Sequence, residues 1–310
     1  MTQTSAPGGS GRLGNRSVAR IGYGAMSIGD SPADEAVTLL RRAVDLGVNH
    51  IDTASFYSDG EVNRRIRTAL APYRDDLVIV SKIGARAVPG AEPPLTLAQR
   101  PSELRAAVEL DLQGLGLDQI PVVNLRRADI GPGVIAEGDQ VVDLDDQLAE
   151  MVALRDEGKI GEIGISNVPL ETLRHALPAG IVCVQNAYSL LDRTHEDSLQ
   201  FCAANGIAWV PYFPLGSGFP GFPKVADNPV AARIAEDLGV TPAQVGLAWL
   251  LGHSPNVLLI AGTGSVKHLE ENIAAGSIAL NPNMIADLDS IPSDTSAHGD
   301  GVQPFLDERR

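Results

Sequence analysis

Leu77-Val78-Ile79-Val80-Ser81-Lys82 and Val257-Leu258-Leu259-Ile260 are the two stretches whose reading decides the fold. Each is a near-continuous apolar run of strand length, with none of the polar alternation of a half-exposed strand. A strand without a polar face is covered on both sides, as in parallel sheets flanked by helices. Working outward, further β-type runs stand at residues 19–23, 48–52, 120–125, 160–165, 181–185 and 207–211. Segments of helical spacing fall between and after them, at 33–46, 101–115, 143–156, 170–177, 195–205, 230–238, 243–251 and 266–275. The first carries Ala36, Leu39, Leu40 and Ala43 on one stripe and stops at Gly47, and Pro101-Ser102-Glu103 opens the second.

Eight buried-type strands alternating with helices predict parallel βαβ units, and a length of 310 residues suits one closed α/β barrel, the (β/α)8 or TIM barrel. A doubly wound sheet is the competing arrangement. Its fingerprint is missing, because Gly22-Tyr23-Gly24-Ala25-Met26-Ser27 does not complete G-x-G-x-x-G, and no P-loop is present. Residues 12–20 predict a small hairpin around Gly14-Asn15 that covers the barrel floor. No linker interrupts the pattern, so one domain is expected over 1–310, with 1–11 flexible. The stretches 84–94 and 131–138 follow strand ends and read as loops on the C-terminal face, where such barrels place their active sites.

Composition narrows the function. Apolar residues make up 44% and charged residues 20%, which excludes a disordered or fibrous chain. With 24 Lys plus Arg against 39 Asp plus Glu, the net charge is −15. That field repels phosphate backbones and anionic lipid, so no nucleic acid and no membrane are expected as partners. No apolar run approaches the ~18 residues of a membrane span. Two cysteines, Cys183 and Cys202, make neither a disulfide framework nor a metal site, and a cytoplasmic location is expected. His50, His175, His195, His253 and His298 lack metal-ligand spacing and are assigned no role.

The strand at 48–52 ends in Asp52-Thr53-Ala54-Ser55-Phe56-Tyr57, and the next ends in Ser81-Lys82. A phenol can protonate a developing alkoxide when a neighbouring ammonium strengthens it as an acid and a carboxylate holds that ammonium in place. Asp52, Tyr57 and Lys82 are the right residue types, on successive strand ends of one barrel face. Each alone reads as a loop cap or a solvated strand end; the three together favour function.

These segments, together with 161–167, Val184-Gln185-Asn186, Pro214-Leu215-Gly216-Ser217 and Leu269-Glu270-Glu271-Asn272, resemble the aldo-keto reductase superfamily over roughly residues 20–290. The resemblance implies a nicotinamide-dependent reductase of small-molecule carbonyl substrates, with Tyr57 as general acid, Lys82 lowering its pKa and Asp52 pairing with Lys82. One position departs: Asn124-Leu125-Arg126 puts Arg126 where the family carries a histidine. A guanidinium stays charged and only donates, which bears on substrate range more than on reaction type. The wording around residues 20–26, 82–86, 122–126 and 181–186 is similar to the bacterial pyridoxal reductase branch, so reduction of pyridoxal to pyridoxine is one expected activity. A ketone, imine or sugar reductase of the same fold, or a noncatalytic cofactor-sensing protein, are the alternatives.

On the cofactor side the resemblance implies Ser166, Asn167 and Gln185 at the nicotinamide carboxamide and Tyr212 stacked on the ring. It implies Pro214, Leu215, Gly216, Ser217 and Gly218 at the pyrophosphate. Gly262, Thr263, Gly264 and Ser265 lead into a helix whose first N–H groups can face phosphate. Ser265, Lys267 and His268 are the candidates for a 2′-phosphate, and Glu271 and Asn272 for adenine. NADPH is the expected cofactor, with NADH the alternative.

Overall fold

The computed structural model describes residues 6–91, 95–131, 134–216 and 223–293. The chain opens with the antiparallel hairpin β1 (Ser10–Leu13) and β2 (Arg16–Ala19), followed by β3 (Tyr23–Gly24), α1 (Ala33–Asp45), β4 (His50–Asp52), α2 (Glu61–Leu70) and β5 (Val78–Ile83). A second antiparallel hairpin, β6 (Ala85–Ala87) and β7 (Leu95–Leu97), precedes α3 (Pro101–Leu115), β8 (Ile120–Arg126), α4 (Leu144–Asp156), β9 (Ile160–Ser166), α5 (Leu170–Ala176) and β10 (Ile181–Gln185). The remainder is α6 (Glu196–Ala204), β11 (Ala208–Trp209), α7 (Pro229–Leu238), α8 (Pro242–His253), α9 (Val266–Ala274) and α10 (Pro282–Asp289).

Seven strands form one parallel sheet in the order β11-β10-β9-β8-β5-β4-β3. The run 256–260 closes the ring. It bridges β11 at Trp209↔Val257 and the start of the barrel at Ile21↔Leu259, with Leu258 N donating to Trp209 O (2.8 Å) and Gly22 N to Leu259 O (2.8 Å). The barrel expected from the strand runs is therefore observed, with two cores. Val78, Val80, Val122, Cys183, Ala208, Val210, Leu258 and Ile260 fill the lumen, while a larger cluster packs the outer strand faces against the helices. Leu13 and Val18 of the first hairpin are buried in the lumen core, so the hairpin seals the floor.

Local signals set the helix ends. Arg100 and Glu103 form a capping box at α3 with Pro101 in the first turn, Thr241 and Gln244 form another at α8, and Asp143 and Ser265 cap α4 and α9. The structure adds α2, α10 and the β6–β7 hairpin, none of which the apolar pattern predicts. α2 buries only Val62, Asn63, Ile66 and Ala69 among charged neighbours, too thin a stripe to read. Of the stretch 1–11, residues 1–5 lie outside the described residues; further along, Ile21 N donates to Pro7 O (3.0 Å), Arg20 N donates to Gly9 O (2.9 Å), and β1 starts at Ser10.

The first barrel strand is β3 at Tyr23–Gly24, with Ile21 bridging Leu259 just before it, so it overlaps the expected 19–23 at its end. A Cβ on Gly24 would lie 2.4 Å from Ile260 O, inside the closing seam. Gly24→Ala is expected to lower stability by about 1–3 kcal/mol as the seam is forced apart, readable as a lower urea midpoint at unchanged slope.

Candidate active site

Alternate residues of a strand share a face, so the lumen core identifies which strand-end side chains point inward. Val78 and Val80 line the lumen, which aims Lys82 into its C-terminal mouth; Val122 does the same for Asn124 and Arg126, and Cys183 for Gln185. Register completes the ring, with Lys82 opposite Asn124, Arg126 opposite Ser166, and Ser166 opposite Gln185.

Asp52, Lys82 and Gln185 are all buried there. Lys82 Nζ donates to Asp52 Oδ1 and, at 3.1 Å, to the carbonyl of Thr53. Gln185 Nε2 donates to the other carboxylate oxygen, Asp52 Oδ2, at 2.6 Å. That bond fixes the amide, and Gln185 Oε1 is left buried with no partner among the described residues. A buried acceptor in that condition costs roughly 1–3 kcal/mol until something donates to it.

Tyr57 leaves the β4 loop on a strained turn. Ser58 and Asp59 both adopt left-handed backbone (φ 47° and 53°), followed by Gly60 at 75°. Non-glycine residues pay roughly 1–2 kcal/mol each for that conformation, and such strain concentrates at functional sites. Gly29 makes room for it, since a Cβ there would sit 2.0 Å from Ser58 Oγ. The turn lays the Tyr57 ring against Lys82, whose Nζ is 4.9 Å from the ring centroid, and edge-on to Phe56 at 5.2 Å. Burial raises the Tyr57 phenol above its ordinary pKa, the Lys82 charge pulls it back, Asp52 pushes it up and Arg126 pulls it down. Lys82 itself is penalised by burial, yet Asp52 and Tyr57 outweigh that and hold it firmly charged.

Arg126 forms no ion pair or side-chain hydrogen bond among the described residues, and its NH1 is buried without a partner. Its neighbour Arg127 takes the nearby carboxylate, bonding Asp129 through Nε and NH2 at 2.8 Å each. The Arg126 charge lowers the pKa of both Tyr57 and Tyr212. Gln99 Nε2 donates to the Arg126 carbonyl (2.9 Å) and to Gly84 O (2.6 Å), pinning the strand end from outside.

The other sequence-selected residues form three groups. Asn167 adopts left-handed backbone (φ 60°), donates from Nδ2 to Ile130 O (2.7 Å) and accepts the Tyr212 hydroxyl (2.9 Å), so its amide already ties two loops together. Burial pushes the Tyr212 phenol up to about 12. Pro214, Leu215 and Gly216 fold back on the segment beginning at Pro223; the Gly216 N–H is spent on Phe213 O (2.9 Å), and Ser217 and Gly218 lie outside the described residues. In the third group Gly262 packs on Gly24, Thr263 O accepts the Tyr23 hydroxyl (2.6 Å), and Gly264 lies against Ser31. Ser265 Oγ caps α9 by accepting from His268 N, Lys267 pairs with Glu271 at 3.6 Å on the exposed face, and Asn272 is buried beneath the helix.

Sequence reasoning missed the polar group behind the site, Thr53, Asn63 and Asp111. Only Ser81, inside the Ser81-Lys82 motif, signalled it.

Asp52, Lys82, Gln185 and Arg126 thus gather at the C-terminal mouth of the barrel beneath a strained tyrosine turn, and comparison with known proteins identifies the family. The profile of the aldo/keto reductase family matches residues 20–292, and the chain belongs to that family and is an oxidoreductase. It is 44% identical to pyridoxine 4-dehydrogenase of Escherichia coli K12 over 287 residues, 90% of this chain and 96% of the relative. An uncharacterised oxidoreductase of Schizosaccharomyces pombe is 34% identical over 91% of this chain and 89% of its own length. The crystal structure of an aldo-keto reductase from Klebsiella pneumoniae in complex with NADPH superimposes with a TM-score of 0.76 at 28% identity, over 92% of this chain and 95% of that one. Among the described residues no helix is long and apolar enough to cross a membrane.

Proposed function

We propose that the protein is an NADPH-dependent aldehyde reductase that acts on pyridoxal, with Tyr57 as the proton donor. The observation that carries this reading is the buried Asp52–Lys82 pair held by Gln185 beneath the Tyr57 ring. NADPH, when bound, supplies a hydride to the carbonyl carbon. Tyr57 Oη gives its proton to the carbonyl oxygen, so hydride and proton together make the alcohol. Lys82 keeps the phenol acidic enough to do this, and Asp52 holds Lys82 at the strand tip.

The residues present fit the cofactor. Gln185 Oε1 is, among the described residues, a buried acceptor without a donor, as an amide N–H of the nicotinamide carboxamide requires, and Ser166 sits beside it in register. Tyr212 offers a ring face held by Asn167. The segment from Gly262 to Ser265 and the capped start of α9 offer backbone donors to phosphate, with Lys267 and His268 as the side chains proposed for a 2′-phosphate. The cofactor is anionic and the chain carries −15, so these few donors must offset the overall field.

Substrate choice rests on Arg126. A partly buried guanidinium without a carboxylate favours an oxygen-rich aldehyde, and pyridoxal carries a phenolic oxygen beside its aldehyde. Charge-assisted hydrogen bonds contribute about 1.5–3 kcal/mol, so Arg126→Ala is expected to cost roughly 10- to 100-fold in kcat/KM for pyridoxal. Benzaldehyde, which lacks that oxygen, should lose far less. Steady-state kinetics on both aldehydes check it, and equal losses would assign Arg126 to the carbonyl itself or to the fold.

A further inference from the structure

Behind β4 and β5, on the side away from the lumen, lies a buried carboxyl group that the mechanism above leaves unused. Asp111 of α3 has no solvent exposure. Its Oδ2 accepts the Ser81 hydroxyl at 2.7 Å and its Oδ1 accepts Asn63 Nδ2 at 2.6 Å; Asn63 Oδ1 in turn accepts the Thr53 hydroxyl at 2.7 Å. Ser81 precedes Lys82 in β5. Thr53 follows Asp52, and its carbonyl accepts from Lys82 Nζ. One polar chain from α3 through α2 thus ends on both strand tips that carry the Asp52–Lys82 pair.

An asparagine at position 111 would keep a hydrogen-bonding group of the same reach there at lower desolvation cost, so what the carboxyl adds is charge. The groups facing it are neutral Asn63 from α2 and neutral Ser81 from β5, with neutral Thr53 one bond further along. Lys82 is the charged group whose field reaches it, and Lys82 in turn bonds Asp52 and lies against the Tyr57 ring.

We propose that Asp111 is a positioning residue for carbonyl reduction: it fixes the tips of β4 and β5 from behind, and its ionisation sets the acid strength of Tyr57 through Lys82. This rests on the reading of Tyr57 as the proton donor. Burial pushes the Asp111 carboxyl up to about 7, against the hydrogen bonds from Ser81 and Asn63 and the Lys82 charge, which lower it. With Asp111 protonated the site carries one negative charge fewer, Tyr57 is the stronger acid, and proton donation is faster. With Asp111 ionised, donation slows.

Stability carries the same signature with a definite sign. A carboxyl whose pKa is raised by folding binds more protons in the native state than in the unfolded one. Its contribution is fully present below the ordinary carboxylate range and is lost as pH rises through about 7.

Three measurements test the proposal. In single turnovers, where product release does not intrude, wild-type aldehyde reduction should slow about threefold to tenfold as pH rises through the neutral range. Asp111→Asn, a neutral near-isostere of the protonated acid, should be flat across that range at the wild type's acid-side rate. Ser81→Ala removes a donor to the carboxylate and should move the wild-type midpoint to higher pH. In urea unfolding of the coenzyme-free protein, wild type should lose stability relative to Asp111→Asn between about pH 4 and 7. A variant that keeps the wild-type midpoint, or an unfolding difference that does not change with pH, overturns the proposal. If Asp111→Asn does not fold, the Ser81→Ala midpoint decides alone. Full turnover in Tyr57→Phe would instead strike the underlying reading, so the two failures are separable.

Discussion

Tyr57→Phe should reduce aldehyde turnover by about 10²–10⁴-fold while leaving NADPH binding close to wild type. The substitution removes one oxygen and keeps the ring. The edge-on contact with Phe56 and the seat of the ring beside Lys82 survive, so neither the strained turn at Ser58 and Asp59 nor the barrel mouth has reason to move. What disappears is the proposed proton donor, and neither neighbouring donor is free to replace it: Lys82 is held charged by Asp52, and the Tyr212 hydroxyl donates its hydrogen bond to Asn167. Rapid-mixing reduction of an aldehyde, with coenzyme affinity titrated separately, reads both halves. A parallel loss of affinity and rate would mean that the tyrosine shapes the pocket instead of donating the proton.

Lys82→Met should act on stability and rate together. Asp52 would remain buried with only the Gln185 amide on its second oxygen. Removing one partner of a buried ion pair costs about 3–5 kcal/mol, because the remaining charge is left uncompensated. The variant should therefore unfold at markedly lower urea or temperature. Its turnover should fall by about 10²–10³-fold, since burial raises the Tyr57 pKa and Lys82 is the largest influence opposing it, each unit being worth tenfold. Asp52→Asn combined with Lys82→Met separates the effects: it should recover much of the stability and none of the rate. Recovery of rate in the double variant would show that the lysine acts only by neutralising Asp52.

The fold was legible where physics writes it locally. Fully apolar runs such as Val78-Ile79-Val80 announced strands covered on both faces, and Pro101-Ser102-Glu103 announced the start of α3. The first barrel strand read only in part, because Gly22 and Gly24 carry no side chain to show a face. Gly22 makes room for the His50 ring and Gly24 for a backbone carbonyl. α2 escaped because its buried face includes Asn63, a residue that pattern reading counts as solvent-facing.

The candidate site divides the same way. Asp52, Tyr57 and Lys82 were visible as chemistry at successive strand ends. The hydrogen bond from Gln185 to Asp52 spans 133 positions of sequence and exists only because strand register brings both side chains into one lumen. Asp111 was invisible for a related reason. A single acid in Glu109-Leu110-Asp111-Leu112 looks like one of many solvated helix charges until packing places it against Ser81 and Asn63.

The measurement that bears most directly on the central claim is NADPH oxidation by the purified protein on addition of pyridoxal, with the alcohol product quantified alongside. The barrel mouth described here predicts one molecule of pyridoxine formed per NADPH oxidised. Tight NADPH binding with no oxidation by pyridoxal, by simple aromatic aldehydes or by sugar aldehydes would contradict it and make the chain a cofactor-binding protein on a reductase fold.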